Sequence, residues 1–309
     1  MTGARIAVIK LGSLGDVVLA MGPMKAIRDH HKGAHLTLIT TAPYGELARQ
    51  SGYFDDVWTD GRPRRLSGLL ALVRRMRQAR FDRVYDLQTS GRSSNYFWAL
   101  WPRLPEWSGI AVGASHRHNT PERVRLHTVE RQAQQLKIAG IDKVPLPDLS
   151  FAHADLSAFA LPARYGVLVP GGSAHRPRKR WPAERYGELA QQLLAQGITP
   201  VIVGGEIEAP LAAGICAAAP GARDLTGRTT FAEVAALARA AALAVGNDTG
   251  PMHLLAAAGC PSLVLFSDES DPALCAPRGP AVKVIQVADL GELDVATVAG
   301  TARELIATP

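Results

Sequence analysis

Only three cysteines occur in 309 residues, Cys216, Cys260 and Cys275, and none forms a C-x-x-C pair, so neither a disulfide framework nor a thiolate zinc site is suggested. Long apolar runs are missing as well. The longest, Ala240 to Val245, falls far short of the roughly 20 residues that a membrane-spanning helix needs. Strand-like sequence starts within five residues of Met1, which leaves no room for the charged and apolar regions of a signal peptide and points to a cytoplasmic protein. No G-x-G-x-x-G occurs in the first half, and no acidic residue closes the apolar run His35 to Thr40, which disfavours a dinucleotide site there. Aromatic and basic residues do not interleave, which argues against nucleic acid as a partner.

What is present describes a globular chain. Hydrophobic content is 47% with a mean hydropathy of +0.02. The length suits two domains of roughly 150 residues each. Charge is divided unevenly. Residues 1–155 hold 22 Lys and Arg against 14 Asp and Glu, whereas residues 156–309 hold 12 against 14. The surplus gathers in Arg62, Arg64, Arg65, Arg74, Arg75, Arg77, Arg80 and Arg83. It reads either as a solvated arginine-rich helix face or as a surface for an anionic partner.

Short β-rich runs alternate with helix-length segments along nearly the whole chain. Arg5–Lys10, His35–Thr40, Asp82–Leu87 and Ile110–Val112 read as strands in the first half, with a helix over Pro121–Ala139. Tyr165–Pro170, Thr199–Val203, Ala242–Gly246, Ser262–Phe266 and Val282–Val287 read as strands in the second. Such alternation predicts parallel sheets covered by helices on both faces, and continuously apolar strands fit that burial. Each half begins with a buried strand, then a glycine turn, then a helix. Two Rossmann-like domains, 1–155 and 156–309, are therefore expected to face each other across a cleft, with a linker near Phe151 to Arg164.

Four motifs fall where a doubly wound sheet presents ligand-binding turns. Gly12-Ser13-Leu14-Gly15-Asp16 places a carboxylate in the first turn of a helix, where the dipole favours its charged form. Asp16 suits either a capping residue or a general base, and Gly15 would let a substrate approach the backbone. In Pro170–Pro182, Gly171, Gly172 and Ser173 offer donors, while Arg176, Arg178, Lys179 and Arg180 bring four cations to a helix start. Val203–Glu208 ends a strand in two glycines followed by Glu206 and Glu208, carboxylates able to accept from ribose hydroxyls. Gly246–Pro261 leads from a strand through Asn247, Asp248, Thr249 and Gly250 into a helix carrying His253, a phosphate- and sugar-binding pattern.

In this order the four motifs, with Asp271-Pro272 after the last, resemble the glycosyltransferase family 9 heptosyltransferases over nearly the whole chain. The resemblance implies a GT-B fold, α/β with two Rossmann-like domains. It implies an N-terminal acceptor-binding domain and a C-terminal nucleotide-sugar-binding domain. The implied reaction is inverting transfer of a heptose from an ADP-activated donor to a lipopolysaccharide core, with no cofactor and no tightly bound metal. No D-x-D is present to hold a bridging cation, so Lys179, arginines and helix N-termini would stabilise the leaving diphosphate.

By the same resemblance, Asp16 matches the base and Lys179 the cation beside the diphosphate. Glu208 matches the nucleoside contact and Asp248 the sugar contact, with Thr249, Gly250 and His253 around the phosphates and Ser173 in the phosphate loop. An anionic core acceptor would give Arg74, Arg75 and Arg77 a purpose, and peripheral contact with the inner face of the inner membrane fits it. Ser267-Asp268-Glu269-Ser270 departs from the family's usual turn, which leaves room for another activated sugar. A sugar-nucleotide 2-epimerase and a non-catalytic nucleotide-binding module are the alternatives.

Overall fold

A computed structural model describes residues 3–172 and 175–307. The chain divides into two compact units, Met1–Pro147 and Asp148–Pro309. Among the described residues, no helix is long and apolar enough to cross a membrane.

The first unit contains six parallel strands. They are β1 (Arg5–Ile9), β2 (His35–Ile39), β3 (Asp56–Trp58), β4 (Arg83–Asp86), β5 (Glu106–Gly109) and β6 (His116–Arg117), in the order β3-β2-β1-β4-β5-β6. The second unit has β7 (Tyr165–Val169), β8 (Thr199–Ile202), β9 (Arg223–Asp224), β10 (Ala244–Asn247), β11 (Ser262–Ser267) and β12 (Val282–Val287), in the order β12-β11-β10-β7-β8-β9. Counted from its own first strand, each sheet runs 3-2-1-4-5-6. That is the doubly wound Rossmann order, with its switch point between the first and fourth strands.

The central strands are apolar because both their faces are covered. Tyr-Gly-Val-Leu-Val of β7 and Ser-Leu-Val-Leu-Phe-Ser of β11 are buried at every position. Gly246, inside β10, lies where a Cβ would meet the Val169 side chain at 2.6 Å and Met252 Sδ at 2.7 Å, so only glycine lets the following helix pack so closely. Trp181 and Tyr186 stack edge to face at 4.8 Å inside the second core, which Val298, Ala302 and Leu305 of the last helix help to close. The first core is built around Trp107, Phe97, Leu72 and Met76. Each fully buried Leu or Met of this kind contributes about 1.5–3 kcal/mol relative to exposure.

The structure corrects two element boundaries. The strand expected at Ile110–Val112 is Glu106–Gly109, because β4 selects the register through Val84 opposite Trp107 and Tyr85 opposite Ser108. The helix expected over Pro121–Ala139 is broken into a short 3-10 turn, Pro121–Arg125, and a helix, Thr128–Ile138. His127 caps the latter by accepting from the Val129 N–H through Nδ1 at 3.2 Å. Near the start of the linker expected at Phe151 to Arg164, the Arg239 guanidinium donates to the Ala152 carbonyl at 2.6 Å and to the carbonyls of Leu149 and Ser150 just before it at 2.8 and 3.3 Å.

Candidate functional site

Each unit presents polar groups at its own switch point. In the first unit, the residues leaving β1 meet those leaving β4. Leu11 N–H donates to Gln88 Oε1 at 2.8 Å, and Lys10 Nζ donates to the Leu87 carbonyl at 3.2 Å. Beneath them Asp86 is fully buried, its Oδ1 accepting from the N–H groups of Gln88 and Thr89 at 3.1 and 2.9 Å. Burial pushes its carboxyl up to about 6. Burial also lowers the Lys10 ammonium below the usual lysine range, against the pull of Asp16 and Asp86.

Asp16 stands at the third position of helix Leu14–Leu19, whose N-cap is Ser13. The Ser13 N–H and Oγ–H both donate to Asp16 Oδ2, each at 3.2 Å, so the carboxylate caps its own helix start. The other oxygen, Oδ1, lies 3.9 Å from Lys10 Nζ, and the side chain remains 42% exposed. The cap thus occupies one oxygen of the carboxylate and leaves the other nearest Lys10.

Asp16 lines a cavity of about 1070 Å³ within the first unit. Gly12, Tyr44, Gln88, Arg62, Arg64 and Arg92 also line it, so three guanidinium groups surround the space onto which the carboxylate opens. Gly12 has φ +124°, and a Cβ there would come within 3.1 Å of the Tyr44 ring; glycine is required at this mouth. Burial, followed by the negative charge of Asp16, raises the Tyr44 hydroxyl above the usual tyrosine range.

Not every residue singled out in the sequence is brought here. Gly15 is buried inside its helix and does not line the cavity. Arg74, Arg75 and Arg77 lie on helix Leu66–Ala79, and none of them lines the cavity. Arg75 lies over the Trp58 ring, 3.8 Å from its centroid, and reaches Asp60 at 3.4 Å. Arg77 donates to the carbonyls of Ala99 and Trp101 at 2.9 and 3.3 Å. Arg92 and Tyr44 were missed by sequence reading, since one arginine on a polar helix and one tyrosine after a proline carry no local signal.

In the second unit, Asn247 at the end of β10 joins the two switch-point strands. Its Nδ2 donates to the carbonyls of Pro170 and Gly171 at 2.9 and 3.1 Å. Its Oδ1 accepts from Trp181 N–H at 3.1 Å and from the Tyr186 hydroxyl at 3.2 Å. This frame sets Lys179 beside Asp248. Lys179 Nζ donates to Asp248 Oδ2 at 2.6 Å, and both side chains are about nine-tenths buried, at 11% and 10% exposure. Ser270 Oγ–H donates to the same oxygen at 2.7 Å, which brings the unusual turn after β11 into the site.

The other cations of the loop are spread out. Arg176 donates to the Glu269 carbonyl at 3.3 Å, Arg178 to the Ala288 carbonyl at 2.8 Å, and Arg180 to the Gly172 carbonyl through Nε at 3.2 Å. Of the four, Lys179 is the one held against the Asp248 carboxylate. Glu208 packs between the two glycine turns: a Cβ on Gly171 would touch its Cγ at 3.0 Å, and Gly205 N–H donates to its Oε2 at 2.8 Å.

Thr249 is the N-cap of helix Gly250–Ala257, whose first-turn N–H groups point toward this end of the sheet. His253, the fourth residue of this helix, is buried at 6% exposure. Ser173 lies outside the described residues.

The profile of glycosyltransferase family 9 (heptosyltransferase) matches residues 69–295. Lipopolysaccharide heptosyltransferase 2 of Escherichia coli (strain K12) is 28% identical over 240 residues, which cover 69% of this chain and 67% of that one. Among solved structures, the family 9 glycosyl transferase from Veillonella parvula DSM 2008 superposes with a TM-score of 0.86 at 21% identity, covering 99% of this chain and 98% of the other. The E. coli heptosyltransferase WaaC with ADP-2-deoxy-2-fluoro heptose superposes with a TM-score of 0.77 at 20% identity, covering 97% and 99%.

Proposed function

The chain belongs to glycosyltransferase family 9, the heptosyltransferases, and on that premise we propose that it moves a heptose from an ADP-activated donor to a lipopolysaccharide core acceptor with inversion at the anomeric carbon. The first unit would hold the acceptor and the second the donor. The observation that carries this reading is the cavity onto which Asp16 opens, with Arg62, Arg64 and Arg92 around it. An acceptor bearing carboxylates or phosphates would be held there by charge-assisted hydrogen bonds from the guanidinium groups.

In the proposed step, Asp16 Oδ1 takes the proton of the acceptor hydroxyl as its oxygen attacks the anomeric carbon. The bond from that carbon to the diphosphate oxygen breaks, and the electron pair leaves with ADP. Lys10 Nζ lies 3.9 Å from Oδ1, and the Ser13 bonds hold the other oxygen of the carboxylate.

On the donor side, the diphosphate competes with Asp248 for Lys179 Nζ. The carboxylate so released accepts from a sugar hydroxyl, with Ser270 still oriented toward it. The first-turn N–H groups of helix Gly250–Ala257, together with Lys179, meet the charge on the leaving group. Glu208 would accept from the ribose. The ADP-heptose assignment draws support from the WaaC complex, whose ligand is an ADP-activated fluoro-heptose.

The two roles of Asp16 can be separated by substitution. Asp16→Asn keeps a capping oxygen and should leave stability nearly unchanged while lowering kcat by about 10²–10⁴-fold. Asp16→Ala should lose the same activity and about 1 kcal/mol of stability besides. Mass spectrometry of ADP-heptose with a truncated core would follow transfer, and proton NMR of the product would give the anomeric configuration. Undiminished transfer by the Asn variant removes Asp16 as base, and a retained configuration removes the single displacement.

A further inference from the structure

One oxygen of the Asp248 carboxylate serves two donors of different kinds. Lys179 Nζ reaches Oδ2 at 2.6 Å, and the Ser270 hydroxyl donates to the same atom at 2.7 Å. The Asp248 side chain is only 10% exposed, and its own N–H donates to the Leu265 carbonyl of β11 at 3.0 Å. Water therefore has little room to replace a donor that leaves. A carboxylate in such a place is costly to strip of its last protein partner.

Ser270 is set by bonds that do not involve Lys179. It stands in the turn after β11, whose last residue, Ser267, is fully buried. The Ser270 N–H donates to the Ser267 carbonyl at 3.3 Å, and the Glu269 N–H donates to Ser267 Oγ at 3.4 Å. Arg176 holds the Glu269 carbonyl at 3.3 Å. On the far side, Asp271 caps helix Pro272–Cys275 by accepting from the Ala273 N–H at 2.8 Å. The hydroxyl is thus presented to Asp248 by a turn tied down before and after it.

The two donors respond differently to an arriving diphosphate. An ammonium carries a full charge, so phosphate oxygens compete for it strongly, whereas a neutral hydroxyl offers them a weaker bond. Lys179 is the donor that a diphosphate would draw away. Ser270 is the one that would stay, and without it the buried carboxylate would have to keep its lysine.

We propose that Ser270 is a positioning residue that retains Asp248 while the donor's diphosphate takes Lys179, so that nucleotide binding depends on the turn after β11. The proposal rests on the donor reading of the second unit, in which the diphosphate meets Lys179. It adds that the release of Lys179 needs a second, uncharged donor on the same carboxylate oxygen.

Isothermal titration of the full chain with ADP tests it. Ser270→Ala should raise the Kd for ADP about 10-fold, the size of one hydrogen bond to a charged group, and Ser270→Thr should restore it to within about 2-fold of the parent. With Asp248→Asn as the starting protein, no buried carboxylate has to be retained. Adding Ser270→Ala there should change the Kd by less than about 2-fold. A serine that merely shapes its turn would weaken ADP equally in both backgrounds, and that equal loss overturns the proposal. So does an unchanged Kd for Ser270→Ala, or a loss that threonine does not rescue. Lys179→Met separates the two levels of the argument: if the parent does not bind ADP, or binds it no better than Lys179→Met, the donor reading falls and this proposal with it.

Discussion

Lys179 Nζ and Asp248 Oδ2, 69 residues apart in sequence, are 2.6 Å apart in the fold, with each side chain about nine-tenths buried. The pair joins the loop after β7 to the turn after β10, the two strands that flank the switch point of the second sheet.

Removing either partner leaves the other charge in a poorly solvated place. Lys179→Met and Asp248→Asn should each cost about 1–3 kcal/mol in denaturant unfolding, and the double variant should recover part of the loss. ADP should raise the Tm of the parent and do so less for Lys179→Met, because the diphosphate would have lost its cation. Strictly additive single effects would show that the two groups do not interact in solution.

On the proposed reading, the acceptor meets the arginines that line the Asp16 cavity and not those of helix Leu66–Ala79. With a soluble, deacylated core acceptor, Arg62→Ala and Arg92→Ala should each raise the acceptor KM by about 10-fold and flatten its dependence on salt. Arg74→Ala, off the cavity, should leave both near the parent values. Steady-state kinetics at several salt concentrations reads the difference; an Arg74 effect as large as that of Arg92 would place the acceptor elsewhere.

Asp86 makes stability depend on pH in an unusual direction. Its folded value, about 6, lies above the ordinary 3.8, so the folded chain binds more protons between the two values. Stability contributed by the protonated group is therefore lost as pH rises from about 4 through 6. Over that window the parent should lose about 3 kcal/mol relative to Asp86→Asn, with little change in the difference on either side. Unfolding free energies of both proteins between these pH values check it, and a difference that stays constant with pH would contradict it.

The Rossmann architecture was readable because central strands such as β1 and β7 are apolar runs followed by glycine turns, and β11 is an apolar run of six residues. The short strands β3, β6 and β9 were not, since two or three residues at or near a sheet margin carry no periodicity of their own. Asp16, Lys179, Glu208 and Asp248 could be named from their motifs. Arg92, Tyr44 and Ser270 could not, because each enters its site from a separate segment and is recognisable only by what surrounds it.

By itself, then, the sequence determined the alternation of strands and helices, the glycine turns at the strand ends and the identity of the carboxylates and lysine in those turns. These are local properties, set by side-chain volume, β-branching and the conformations open to glycine. Tertiary structure alone decided that Asp16 caps its own helix and also lines a cavity, and that Lys179 closes on Asp248. It also decided that Arg74, Arg75 and Arg77 are not among the residues lining that cavity while Arg62, Arg64 and Arg92 are. Distance in space between residues far apart in the chain is set by the order of strands in each sheet, and no stretch of sequence encodes that order on its own.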